Sequence, residues 1–270
     1  MHTKTELGHY SFDPSLTGFH ADNALFMAKC ARLSYEPREL IQHVAQEIWH
    51  FPGFSFIEYS TDEDDVQAFM ISDGQAIIAS FRGTEAHKIQ DWVNNMDTSL
   101  KPAFGGNVHQ GFLRALEAIW DEFSRDLNFL KTADQKLFIT GHSQGGALAT
   151  LAAAKCIDTG IDFHQVYTFG APRVGDILFS KAFNNYHKQK LFRVVNHGDI
   201  VTRVPTRQSS FYHCGTFFFL DEAGMLHQDS TYWTQFWDSL GVSIWDLLDM
   251  AIGEVEAHKT AAYIQKLAQI

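Results

Sequence analysis

Gly141-His142-Ser143-Gln144-Gly145 fits the pattern G-x-S-x-G, a serine held between two glycines. It follows a β-prone run, Leu137-Phe138-Ile139-Thr140, and leads into Gly146-Ala147-Leu148-Ala149-Thr150-Leu151-Ala152-Ala153-Ala154, small and apolar throughout. Strand, sharp turn and helix form the setting in which this pattern presents a nucleophilic hydroxyl. The glycines let strand and helix approach closely, and the serine stands at the tip. The helix N-terminus beneath it favours an anion formed nearby. The chemistry predicted is acyl transfer through Ser143; the plain alternative is a Gly/Ser turn between two elements.

A serine hydroxyl is a poor nucleophile unless a base accepts its proton, and the base needs an acid to orient it. In hydrolases built on this elbow the chain order is serine, then carboxylate, then histidine. Asp199 suits the acid: it follows the β-prone run Leu191-Phe192-Arg193-Val194-Val195-Asn196, at a strand's carboxyl end and so on the rim that carries Ser143. Asp176 and Asp162 are weaker rivals, and a turn or cap aspartate is the plain alternative. Four histidines qualify as base, His197, His213, His227 and His258, and pattern alone does not choose among them. His142 adjoins the serine, but neighbouring elbow positions point apart.

Several elements must hold these residues. Helical spacing runs over Ala21–Tyr35 and again over Leu40–Trp49, ended by Pro52-Gly53. Phe54–Tyr59, Val66–Ile71 and Ala76–Phe81 read as strands separated by turn chemistry at Asp62-Glu63-Asp64-Asp65 and Ser72-Asp73-Gly74. Val108–Leu130 reads as a long amphipathic helix, Gln165–Phe169 and Leu191–Asn196 as strands, and Ile177–His187 as a helix. Strands alternating with helices from about 76 to 200 predict an α/β fold with a mostly parallel central sheet and helices on both faces. Thr216–Leu220 and a strand from Met225 follow, then an aromatic helix over Tyr232–Met250 and a last helix over Val255–Leu267. No linker or repeat interrupts the chain, so residues 1–270 are expected to form a single domain.

Composition narrows the function. The net charge of −11, without a long Lys/Arg cluster, argues against nucleic acid and against standing attachment to anionic lipid. The 23 Phe, 6 Trp and 8 Tyr suit a large core or an apolar site. Cys30, Cys156 and Cys214 form no CxxC, so neither a disulfide framework nor a structural metal is expected. No run of about 18 apolar residues offers a transmembrane segment. The N-terminal MHTKTELGHYSF lacks a secretory apolar stretch, which predicts a cytoplasmic protein, with leaderless secretion as the alternative.

Five motifs in order, FRGT at Phe81–Thr84, VHQGF at Val108–Phe112, GHSQGG, TFGAPRVGD at Thr168–Asp176 and NHGDIVTRVP at Asn196–Pro205, resemble the class 3 (fungal-type) triacylglycerol lipase family of α/β-hydrolases. The resemblance covers roughly residues 55 to 267. Its last motif, a histidine followed by an aromatic and an aliphatic residue, matches His258 with Tyr263 and Ile264, whereas His213-Cys214-Gly215 matches a motif that is not the base. The resemblance therefore implies the catalytic set Ser143, Asp199 and His258. It implies an oxyanion hole from the backbone N–H groups of Thr84 and Gln144, with the Thr84 hydroxyl as a third donor. Neither cofactor nor metal is implied.

After the oxyanion segment, His87–Asn95 places Ile89, Trp92, Val93 and Met96 on one helical face. The resemblance makes this a lid that opens at a lipid–water interface; the plain alternative is a fixed surface helix. Two positions depart from the family: Ala257 stands where Asp often precedes the base, and Gln144 where Leu is common, although only the Gln144 backbone is needed for the oxyanion. The activity expected is hydrolysis of lipid esters through an acyl-enzyme, triacylglycerol lipase-like. Phospholipase A1 or galactolipase activity with the same residues is the nearest alternative, and a non-catalytic lipid-binding protein the remote one.

Overall fold

The computed structural model describes residues 7–8, 10–61, 65–85, 88–132, 134–228 and 258–270. The expected helix over Tyr232–Met250, the start of the one expected from Val255, His87 and the turn at Asp62-Glu63-Asp64 lie outside them.

Eight strands form one sheet in the order β1-β2-β3-β6-β7-β8-β9-β10. β1 (Gly53–Ser60), β2 (Asp65–Ser72) and β3 (Ala76–Phe81) are an antiparallel meander. From β3 the pairing turns parallel through β6 (Lys136–His142), β7 (Gln165–Phe169), β8 (Leu191–Asn196) and β9 (Thr216–Leu220), and β10 (Leu226–Gln228) closes the edge antiparallel. The sheet is thus mostly parallel with an antiparallel margin on each side, as the alternation of strands and helices predicts.

Both faces are buried, so alternate residues of each central strand enter different cores. Ile77, Ala79 and Phe81 of β3 and Leu137 and Ile139 of β6 face α4 (Gln110–Leu130) and α5 (Gln144–Thr159). Ala76, Ile78 and Phe138 face α1 (Ala21–Leu33) and α7 (Thr260–Leu267). Two polar strand residues point at α1 and are satisfied there: Ser80 Oγ donates to the Cys30 carbonyl at 3.1 Å and Thr140 Oγ1 to the Met27 carbonyl at 3.2 Å. Aromatic rings supply much of the second core, with Tyr10 stacked on Phe26 at 4.2 Å and Phe19 on Phe218 at 3.9 Å.

Two expected helices change. The one predicted over Val108–Leu130 begins only at Gln110, because β5 (Gly106–His109) pairs with β4 (Leu100–Ala103) in a hairpin. Phe104 and Gly105 turn that hairpin with φ of 53° and 80°, the positive values a two-residue loop demands. The one predicted over Leu40–Trp49 divides into α2 (Arg38–His43) and a π-helical turn, Val44–Ile48, closed by Trp49 N–H on the Val44 carbonyl. The segment 87–95 yields a short helix, α3 (Ile89–Asn94), and Ile177–His187 is α6 as predicted.

Candidate active site

Ser143 lies between β6 and α5 with φ 58° and ψ −130°, a conformation costly for a residue with a Cβ. Its environment holds it there. Ser143 N–H donates to the Phe169 carbonyl at 2.9 Å on the neighbouring strand, and α5 starts on the Ser143 carbonyl. The elbow is pressed against β3 so closely that any side chain at Gly145 would run into the Phe81 carbonyl.

Asp199 follows β8 and is 2% exposed. Its carboxylate is filled by donors: His258 Nδ1 lies 2.9 Å from both oxygens, Val201 N–H 3.0 Å from Oδ1, and Tyr263 Oη 2.5 Å from Oδ2. Since the carboxylate accepts from Nδ1, the neutral His258 presents its lone pair at Nε2. His258, just ahead of α7, is 1% exposed, and Ser143 is fully buried. Ser143 Oγ and His258 Nε2 are among the buried side-chain atoms that have no hydrogen-bond partner among the described residues. Gly170, adjoining the Phe169 carbonyl that holds Ser143, backs directly on the pair: a Cβ there would sit 2.6 Å from Asp199 Oδ2 and 3.0 Å from the His258 ring.

His142 supports this arrangement from behind. Its Nε2 donates to the His258 backbone carbonyl at 2.5 Å and its Nδ1 accepts from Tyr35 Oη at 2.8 Å, so neither nitrogen is left to reach the serine hydroxyl. Burial, then the adjacent His258, push its proton affinity well below the usual imidazole range, which keeps it in the neutral form these two bonds require. Burial likewise raises the Tyr35 phenol, so it remains a donor.

The rival residues are engaged elsewhere. His213 Nε2 donates to the Thr202 carbonyl at 2.7 Å, and His227 pairs with Asp221 at 2.8 Å. Asp176 caps α6 by accepting from Phe179 N–H at 2.8 Å, and Asp162 lies 3.2 Å from Lys190. Of the carboxylates and histidines weighed from sequence, Asp199 and His258 are the pair the fold joins directly, with the His258 ring against that of His142, the residue before Ser143.

Thr84 follows β3 and Gln144 opens α5; they meet through their side chains, Thr84 Oγ1 donating to Gln144 Oε1 at 2.7 Å. The expectation that Gln144 matters only through its backbone omits this bond. On α3, Ile89 and Val93 are buried against Val201 and Val204, which follow Asp199 closely, while Trp92 and Met96 are half-buried beside them. Trp92 stacks on Phe112 with centroids 6.1 Å apart. Tyr35, His142 and Tyr263 are the site residues that sequence reasoning left without a role. Tyr35 and His142 lie 107 positions apart, and no local pattern links them.

Residues 78–209 match the family described as lipase (class 3). The chain is 33% identical over 173 residues to secreted mono- and diacylglycerol lipase 1 of Fusarium solani, covering 62% of this chain and 50% of that protein. It is 30% identical over 159 residues to phospholipase A1-II 4 of Oryza sativa subsp. japonica, covering 48% of this chain and 40% of that one. The chain thus spans about half the length of the relatives it matches. The triacylglyceride lipase of Rhizomucor miehei superposes with a TM-score of 0.62 at 23% identity, over 83% of this chain and 91% of that one. At that identity the match shows a shared α/β-hydrolase fold. One expectation is corrected: a relative named as a secreted lipase overturns the cytoplasmic placement.

Proposed function

We propose that this chain, whose residues 78–209 match the class 3 lipase family, hydrolyses the carboxylic esters of lipids, with triacylglycerols as its main substrate class. The observation that carries the proposal is the buried Asp199–His258 pair, which fixes one imidazole nitrogen and leaves Nε2, like Ser143 Oγ, buried and without a partner among the described residues. Other buried atoms, such as His109 Nε2 and Thr168 Oγ1, also lack a partner among the described residues; what sets Ser143 and His258 apart is the strained elbow that holds the hydroxyl and the carboxylate that orients the imidazole.

His258 Nε2 takes the proton as Ser143 Oγ attacks the ester carbonyl carbon. Asp199 stabilises the imidazolium that results. Charge develops on the carbonyl oxygen, where the N–H groups of Thr84 and Gln144 and the start of α5 receive it. Collapse of the tetrahedral intermediate breaks the bond to the alcohol, which leaves with the proton returned by His258. Water then attacks the acyl-enzyme with the same base and regenerates Ser143. These steps use only groups of this chain. The apolar face of α3, Ile89, Trp92, Val93 and Met96, serves as a cover that leaves the site at a lipid–water interface.

The similarity to a protein named phospholipase A1 supports a second reading, the same chemistry at a phospholipid or galactolipid ester. A hydrolysis panel of triacylglycerols, phosphatidylcholines and galactolipids in matched emulsions separates the two. Fastest release of fatty acid from triacylglycerol is expected. Faster release from a polar lipid favours the second reading, and no release from any ester overturns both.

A further inference from the structure

The steps above use Gln144 only for its backbone N–H, yet its side chain is committed to Thr84. The end of β3 and the elbow are in contact: the position a Cβ would take on Gly83 is 3.1 Å from Ser143 Cβ. The Thr84 hydroxyl, one residue on, is bonded to the residue that follows the nucleophile, in a pair only partly buried.

A hydroxyl has one proton to give. While Thr84 donates to Gln144 Oε1, that proton is not available to an oxyanion. A carboxamide differs from every other side chain of this size in carrying an acceptor and a donor on one planar end, and its last torsion is broad and two-fold. Half a turn replaces Oε1 by Nε2–H. Thr84 Oγ1 then accepts from Gln144 and turns its own proton outward. A hydroxyl that accepts a bond is polarised to donate a stronger one. Leucine at this position could neither hold nor release the proton.

We propose that Gln144 is a positioning residue: its carboxamide holds the Thr84 hydroxyl in the resting enzyme and, by reversing, directs Thr84 Oγ1–H to the oxyanion as a third donor. The inference rests on the ester-hydrolase reading of Ser143. It implies that the value of the Thr84 hydroxyl to the reaction depends on what occupies position 144.

The test is a double-mutant cycle on the full chain, with kcat and KM measured on a short soluble p-nitrophenyl ester and thermal midpoints recorded for each variant. Thr84→Val is expected to lower kcat about 10²-fold, as for loss of one oxyanion donor. Gln144→Leu should lower kcat about tenfold with little change in KM, within the coupling seen for residues of one hydrogen-bond network. The double variant should be no slower than Thr84→Val alone, whereas Gln144→Leu should keep its effect when Thr84→Ser retains the hydroxyl. Multiplying effects in the double variant, or an unchanged kcat in Gln144→Leu, overturns the proposal. Full activity in Ser143→Ala would instead overturn the reading on which it rests.

Discussion

Tyr263 donates its hydroxyl to Asp199 Oδ2 at 2.5 Å and accepts from the backbone N–H of Asn196 at 3.1 Å, so one phenol joins α7 to both the acid and the end of β8. Burial, then the neighbouring Asp199 charge, push its ionisation well above the usual phenol range, and it stays a donor. Asp199 is thereby held by Tyr263 as well as by His258.

Tyr263→Phe removes both the donor to Asp199 and the hydroxyl that accepts from the Asn196 N–H. Stability should fall by about 1–3 kcal/mol. Turnover should fall well short of the roughly 10⁴-fold expected when the acid is changed, as in Asp199→Asn. Urea unfolding and ester turnover on the two variants check this. A Tyr263→Phe protein of unchanged stability and with turnover as poor as Asp199→Asn would contradict it.

His258→Ala should cost as much turnover as loss of the nucleophile, because no other histidine bonded to Asp199 is found among the described residues. His213→Ala should cost far less, since His213 serves the Thr202 carbonyl. Steady-state rates of the two purified variants decide the matter; an inactive His213→Ala beside an active His258→Ala reverses the assignment.

Acid should destabilise the fold through two buried histidines. Burial, then neighbouring positive charge, hold His142 and His213 well below the ordinary imidazole value. Both are neutral when folded, whereas the unfolded chain binds a proton at each near about pH 6.5. The unfolded state therefore takes up more protons as pH falls. Their contribution is complete above about 6.5 and is lost below it, at up to about 1.4 kcal/mol per pH unit for each. His213→Gln keeps a donor for Thr202 and should remove about one proton from that slope. Thermal midpoints from pH 4.5 to 8 measure it, and an unchanged slope would count against the account.

If α3 is a cover, opening exposes Ile89, Trp92, Val93 and Met96 together, at about 25 cal/mol per Å² of apolar surface. A lipid surface removes that cost and populates the open state. The rate on a sparingly soluble ester should climb steeply past its solubility limit. Trp92→Ser should blunt that climb more than it slows a short soluble ester. A smooth saturation curve, with Trp92→Ser lowering only the thermal midpoint, means that α3 is fixed.

Wherever a pattern is local, the chain is readable. The elbow around Ser143 declares itself because strand, glycines and helix are contiguous, and Asp199 because it ends a plainly apolar strand. The central strands follow from runs such as Leu191–Asn196, whose residues feed two cores at once. His258 is not readable in this way: three histidines follow Asp199 and a fourth, His197, lies beside it, and only the resemblance to a family singled one out. The supporting bonds of Tyr35, His142 and Tyr263 were not readable because they join distant segments. The β4–β5 hairpin was absorbed into a helix because Val108 continues the apolar spacing of α4; the Phe104-Gly105-Gly106 turn was the available signal.

The central claim, that Ser143 is the nucleophile, is tested most directly by comparing ester turnover in the native protein and in Ser143→Ala. Both should show the same unfolding midpoint within error. Ser143→Ala should then turn over a p-nitrophenyl ester about 10⁶-fold more slowly. A folded Ser143→Ala protein that retained near-native turnover would contradict the account.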